Sequence, residues 1–241
     1  MKTKKNRGII KLIEIIPVLD LKNHIAVSGK SGQRNTYTPL QTIYSPNPNP
    51  FDIAGNLKIN NAKRVYIADL DLIEKQGHNI DQIKNTNMIL PVILDAGVKN
   101  YESFKFYLNF AYKIIIATET LESIEELDKI FKTFPSERII ISVDVKDGKL
   151  YSQNLNMNLK EFQEILKKYD PSEIILLDIS RVGTGEGFNK ELLEKFKDFK
   201  DQIIIGGGIQ AKDLQKLEEL GFKKALVGTA LHKGEIKINP F

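Results

Sequence analysis

Two kinds of segment alternate along the chain. Short runs rich in Ile, Val and Leu (LIEIIPVLD, RVYIADLD, ILPVILDAG, YKIIIAT, RIIISVDV, EIILLDIS, QIIIGGG and KALVGT) are almost continuously apolar, the pattern of strands buried on both faces. Between them lie segments of helical period. SIEELDKIF sets Ile124, Leu127 and Phe131 on one stripe, and DLQKLEELG sets Leu214, Leu217 and Leu220 on another before a terminating Gly221. Strands that alternate with helices predict parallel pairing, and eight such units in 241 residues predict an α/β fold, a single (β/α)8 barrel. A doubly wound open sheet would carry a Gly-rich turn after its first strand, and none follows LIEIIPVLD.

The chain also repeats itself. ILDAGVKNYESFKFYLN followed by IIIATETLES matches IIIGGGIQAKDLQKLEEL followed by ALVGTALHKG, and one offset of 111 residues relates Gly97 to Gly208 and Thr118 to Thr229. PVLDLKN at the end of strand 1 likewise matches SVDVKDGK at the end of strand 5. The pattern predicts a half-barrel duplication, two four-strand halves related by a pseudo-twofold axis. One domain is expected over residues 1–241, with a basic tail over 1–8 and a long loop after strand 1 over residues 22–50. That segment has no clear period, contains GKSGQRNTY and closes on PNPNP. On a barrel it would lie over the catalytic face, either as a mobile lid with Lys30 and Arg34 as anion contacts and Tyr37 as a stacking ring, or as a plain surface loop.

Composition removes several classes of function. Hydrophobic residues at 41% and charged residues at 27% are globular proportions, and the absence of Cys excludes disulfides and thiol chemistry. No apolar run approaches the roughly 18 residues that a membrane span requires. The net charge of +4 is matched by Lys2, Lys4, Lys5 and Arg7 of the tail, and Lys and Glu interleave elsewhere. No nucleic-acid or membrane partner is therefore expected, and the location expected is cytoplasmic.

Candidate chemistry gathers at strand ends. Gly206, Gly207 and Gly208 end strand 7, and Gly228 and Thr229 end strand 8, where barrels bind phosphate against backbone N–H groups and a short extra helix. The alternative for the three glycines is a tight turn. On the phosphate reading, Gly208→Asp should weaken binding and leave the fold largely intact. Asp20 and Asp144 end strands 1 and 5, opposite one another in an eight-stranded barrel, where one can act as general acid and the other as general base. Asp69, Asp71, Asp95 and Asp178 are read as acceptors for loop amides rather than metal ligands, and His24, His78 and His232 have no zinc spacing. Neither a metal nor a redox cofactor is expected, since no dinucleotide fingerprint is present. At the half-barrel equivalent of the phosphate end, Asp95, Gly97 and Thr118 mark a second ligand end. Asp95 and Glu119 there oppose a dianion and suit a neutral or cationic group.

The strings IIPVLDLK, YIADLD, SVDVKDGK, LDISRVGTGEG, IIIGGGI and LVGTALHKG resemble the histidine-biosynthesis barrel family, over about residues 12 to 236. That family contains ProFAR isomerase (phosphoribosylformimino-AICAR ribotide isomerase) and the cyclase subunit of imidazole glycerol phosphate synthase. The resemblance implies Asp20 as base and Asp144 as acid of an Amadori rearrangement, with Gly183 and Thr184 in the strand 6 loop. Leu177 and Val182 stand where the isomerase motif has Thr and Asp, the chain has no Trp to stack on an imidazole, and Ser28 stands at the position of the cyclase Lys. The expected activity is therefore an aldose–ketose isomerisation of a small phosphorylated aminosugar-like metabolite differing from ProFAR. The alternatives are a genuine ProFAR isomerase and a non-catalytic phosphometabolite-binding barrel. Neither oligomeric state nor substrate follows from the sequence.

Overall fold

The structure is a computed structural model that describes residues 13–29, 37–182, 184 and 186–238. Eight parallel strands follow one another around a closed sheet: β1 (Glu14–Lys22), β2 (Val65–Asp69), β3 (Val92–Asp95), β4 (Lys113–Ala117), β5 (Ile139–Lys146), β6 (Glu173–Asp178), β7 (Ile203–Gly206) and β8 (Lys224–Val227). The sheet closes where Ile16 of β1 pairs with Leu226 of β8. All eight apolar runs are strands, in the order the sequence predicts, and the architecture is the (β/α)8 barrel.

Burial on both faces explains why those runs are almost unbroken. Ile16, Ile93, Ile115, Ile140, Ile175, Ile204 and Leu226 fill the barrel interior as a cluster of their own, with Val18, Tyr66 and Leu177 packed against it. Alternate residues such as Ile15, Leu19, Leu94, Ile114, Ile141 and Val143 face outward into a second, larger cluster shared with the helices. The helices are α1 (Pro50–Ile59), α2 (Leu70–Glu74), α3 (Ile80–Ile89), α4 (Tyr101–Tyr107), α5 (Ile124–Thr133), α6 (Leu159–Tyr169), α7 (Lys190–Lys195), α8 (Ala211–Glu219) and α9 (Thr229–His232). Asn49, Asn100, Asn158 and Asn189 cap α1, α4, α6 and α7 by accepting first-turn N–H groups. In α5, Leu127 and Ile130 are buried and Ile124 and Phe131 pack against the core from its edge. The stripe expected of α8 is shorter than the sequence suggests. Leu217 is buried, but Leu220 is the C-cap residue and half exposed, because the helix ends before its last turn can face inward.

In the segment between β1 and α1, the described residues 23–29 and 37–49 hold more structure than its lack of period implies. β1 overruns the barrel and turns back through Asn23 and His24, both at positive φ, into a short antiparallel strand, Ile25–Ser28, which pairs in turn with Thr38–Pro39. β5 does the same through Asp147 and Gly148 into Lys149–Leu150. Both are two-residue hairpins with left-handed central residues, so the pseudo-twofold repeat extends to the turns. Farther on, Ile43 N–H donates to His232 O at 3.0 Å and Thr42 Oγ1 meets His232 Nδ1 at 2.9 Å, which fastens residues 42–45 to α9. Lys30, Arg34 and the tail over 1–8 lie outside the described residues.

At the opposite, N-terminal rim, the strands begin on charges. Glu173 accepts two bonds from Arg64, at 2.7 and 2.8 Å, and one each from Lys113 and Lys224, while Arg64 also binds Glu14. Despite its burial, these three cations hold the Glu173 carboxyl far below its ordinary range.

Candidate active site

The strand alternation that sends Ile residues into the barrel brings a different set inward at the C-terminal ends. Two residues beyond Val18 comes Asp20; two beyond Ile93, Asp95; and along β5, Ile140 is followed by Ser142 and then Asp144. β1 and β5 are separated by three strands in either direction around the closed sheet, so Asp20 and Asp144 enter the mouth from opposite walls. Asp95 lies between them on β3. The sheet register puts Asp20 beside Ala68 and Ala68 beside Asp95, two strand spacings apart.

Asp144 is buried and held on both oxygens. Ser142 Oγ donates to Oδ1 at 2.9 Å, and the Glu119 N–H donates to Oδ2 at 3.1 Å. Thr118 Oγ1 accepts the Asp144 N–H at 3.0 Å and lies 3.0 Å from Tyr151 O and 3.3 Å from Asp144 Oδ2, so its one hydroxyl hydrogen is committed within this network. Burial pushes the Asp144 carboxyl up to about 7, against the Glu119 bond and with help from the charge of Asp95. Asp20 also sits at about 7, raised by burial and then by Asp95. Asp95 is fixed by the Gly97 N–H on Oδ1 at 3.1 Å and by the Tyr66 hydroxyl on Oδ2 at 3.2 Å. Burial and then the three carboxylates lift the Tyr66 phenol well above its ordinary value, so it stays a donor. Two carboxyls poised near 7 are each partly protonated at neutral pH, so one can give a proton while the other takes one.

The second part of the mouth lies at the ends of β7 and β8. The N–H groups of Gly207, Gly208, Gly228 and Thr229 donate to no acceptor among the described residues. These four donors lie at the ends of two adjacent strands, and backbone N–H groups that converge are a known way to bind an oxyanion. The glycines are also sterically required. A Cβ on Gly206 would meet Leu177 Cδ1 at 2.8 Å, and Gly207 and Gly208, both at positive φ, would meet Asp178 O at 2.8 Å and Arg181 O at 2.6 Å. The turn and the cradle are thus one feature, and Gly208→Asp would disrupt the turn, contrary to the expectation of an intact fold. Thr229 is exposed at the first position of α9 and has no such constraint.

The remaining sequence-predicted positions divide. Thr184 uses its hydroxyl in its own loop, donating to Arg181 O at 2.9 Å, and the Gly187 N–H donates to Gly208 O, so the β6 loop lies on the Gly208 turn. Gly183 is outside the described residues. Asp69 accepts from the N–H groups of Leu72 and Asn79 and from the Asn79 side chain, Asp71 accepts from Asn23 N–H, and Asp178 accepts from Asn189: all three are structural acceptors. His232 is buried with Nε2 2.8 Å from Val18 O, and burial lowers its pKa. Tyr37 packs against the Val27, Ala68 and Leu70 cluster. Tyr66 went unread in the sequence, although its place two residues before Ala68 in an inward-facing register was available as a signal.

Comparison with known proteins places this geometry. The profile of the family described as histidine biosynthesis protein matches residues 14–237. The chain belongs to that family. It is 39% identical to an uncharacterised protein of Methanocaldococcus jannaschii, over 94% of this chain and 96% of that one. It is 28% identical to a Desulforudis audaxviator isomerase named for an imidazole carboxamide bearing two phosphoribosyl groups, the ProFAR isomerase, over 93% of this chain and 88% of that one. The isomerase of the same name from Methanocaldococcus jannaschii is 27% identical, over 93% of this chain and 95% of that one. Family membership therefore rests on nearly the whole barrel, and the similarity to isomerases extends across both halves. No helix of the described residues is long and apolar enough to cross a membrane.

Proposed function

We propose that the protein is an aldose–ketose isomerase that acts by an Amadori-type rearrangement on a phosphorylated aminosugar-like metabolite. The observation that carries this reading is the pair of opposed carboxyls, Asp20 and Asp144, both raised to about 7. Asp144 protonates the sugar-ring oxygen, the ring opens to an iminium at C1, and Asp20 removes the proton from C2. The electron pair of the broken C–H bond forms the C1–C2 double bond of an enolamine. Return of a proton to C1 and loss of the hydroxyl proton at C2 then give the ketose. Hydrogen moves within one molecule and no electron leaves it. The phosphate is held by the N–H groups of Gly207, Gly208, Gly228 and Thr229, with Gly206 and the loop that carries Thr184 behind them.

A substrate other than ProFAR is supported by two facts. Leu177 and Val182 are apolar at the positions where the resemblance places a Thr and an Asp, and Leu177 packs on Gly206. In Methanocaldococcus jannaschii, moreover, the relative at 39% identity exists beside a separate protein that carries the isomerase name. Exchange of the C2 hydrogen for deuterium, followed by NMR with ribosylamine phosphates and with ProFAR, tests the reading. Wild type should exchange, and Asp20→Asn and Asp144→Asn should each lose about 10²–10⁴-fold, the usual contribution of a general acid or base. Exchange within about tenfold of wild type in both variants overturns the mechanism. Turnover of ProFAR at a rate exceeding all mono-phosphorylated compounds would instead favour the genuine ProFAR isomerase.

A further inference from the structure

The duplication makes the two ends of the mouth comparable atom by atom. By the 111-residue offset, Gly97 corresponds to Gly208, Ala117 to Gly228 and Thr118 to Thr229. At the β7 and β8 end, the N–H groups of Gly208, Gly228 and Thr229 donate to nothing among the described residues. At the β3 and β4 end, two of the corresponding donors, those of Gly97 and Thr118, are already used. Gly97 N–H donates to Asp95 Oδ1 at 3.1 Å and Thr118 N–H to Ser142 O at 2.9 Å. The next N–H, that of Glu119, donates to Asp144 Oδ2, and the Thr118 hydroxyl is committed between Tyr151 O and Asp144. Where the active half has Gly206 and Ala230, this half has Asp95 and Glu119.

We propose that the substrate carries a single phosphate, bound at the β7 and β8 end, and that the β3 and β4 end receives a neutral or cationic group such as a polyol or an amine. A phosphate dianion gains its affinity from donors that converge on its oxygens. At the second end it would have to displace the internal bonds of Gly97, Thr118 and Glu119 while facing Asp95, Asp144 and Glu119. A hydroxyl or ammonium donates to those same carboxylates and leaves their amide bonds in place. Among the described residues, two lysines lie at the rim of this end. Lys99, beyond Gly97, has its ammonium against that of Lys75 at the end of α2, and the side-chain contact with Lys75, then desolvation and the like charge, lower its pKa.

The inference rests on the phosphate assignment in the proposed function, and the experiment separates the two. Equilibrium binding is measured for ProFAR and for each of its two derivatives lacking one phosphate, on wild type, Asp95→Asn, Lys99→Ala and Thr229→Asp. One mono-phosphorylated form should bind wild type at least as tightly as ProFAR, and Asp95→Asn should raise the affinity for ProFAR relative to that form by about tenfold. Wild-type binding of ProFAR tighter than both mono-phosphorylated forms overturns the inference. If that tighter binding is lost in Lys99→Ala, the second anion belongs to the Lys75 and Lys99 rim. Thr229→Asp puts a carboxylate beside the phosphate without a backbone clash and should weaken every phosphorylated ligand by at least about tenfold. If it weakens none, or if wild type binds none of the three compounds, the phosphate assignment falls and the inference falls with it.

Discussion

Asn in place of Asp20 should make the protein more stable and less active, and the stability gain should depend on pH in a fixed sense. The folded state holds this carboxyl at about 7 against an ordinary 3.8, raised by burial and then by the charge of Asp95. At about 1.4 kcal/mol for each tenfold change in proton affinity, the full penalty for ionising it in the fold is roughly 4 kcal/mol. Asp20 is only partly buried, so solvent screening reduces the net cost to about 1–2 kcal/mol. Because its folded pKa is raised, folding is favoured below the unfolded value near 4, and that advantage is lost as pH rises from about 4 through 7.

Asn cannot ionise and therefore avoids the penalty. Urea denaturation should show Asp20→Asn more stable than wild type by about 1–2 kcal/mol at pH 8, with little difference at pH 4. The same exchange at Asp144 is a poorer probe, because Ser142 and the Glu119 N–H bond the ionised form. Catalysis should fall by about 10²–10⁴-fold in Asp20→Asn. A variant less stable than wild type at pH 8, or equally stabilised at pH 4 and 8, would refute the argument that desolvation holds this group near neutrality.

Three further outcomes are expected. Asp95→Asn removes the charge that raises both Asp20 and Asp144, so both limbs of the pH–rate profile should move to lower pH, and an unmoved profile contradicts the coupling. Glu173→Gln leaves Arg64, Lys113 and Lys224 with less counter-charge at a buried rim and should cost about 3–5 kcal/mol in denaturation. In wild type the stabilisation from the lowered Glu173 pKa should be fully present above about 4.5 and lost as pH falls below it. His232→Ala removes the anchor shared by Thr42 and Val18, and limited proteolysis should reach residues 40–50 faster than in wild type; equal rates would show that this contact does not hold the segment.

What the sequence made legible follows from how each feature is encoded. The strands were readable because burial on both faces leaves no polar position to interrupt them, as in KIIIA of β4. Asp20 and Asp144 were readable because duplication puts the same residue at the same place in two segments. The hairpins were less so: Asp147–Gly148 carries a recognised turn signal, but Asn23–His24 reaches the same positive φ with a residue pair that does not advertise it. The charge network at the N-terminal rim was illegible. Glu14, Arg64, Lys113, Glu173 and Lys224 each flank a strand far apart in the chain, and any one alone reads as a solvated end. The glycines of β7 were legible as a motif, and the tight-turn alternative has a steric reason of its own, since Asp178 O and Arg181 O leave no room for a Cβ at Gly207 and Gly208.

Asp95 ties substrate choice to proton affinity. Its carboxylate occupies the Gly97 N–H, which in the other half-barrel corresponds to the open N–H of Gly208. The same charge raises both Asp20 and Asp144 toward neutrality. On the proposed reading, one residue both closes the second half-barrel to an anion and helps poise the acid–base pair. A chain with Gly at 95 would regain the donor and lose the repulsion, so its two acids would ionise more readily. Those two properties cannot be varied independently at this position. On the proposed reading, an exchange at Asp95 therefore changes the ligand and the pH range of the chemistry together, because both depend on this one carboxylate.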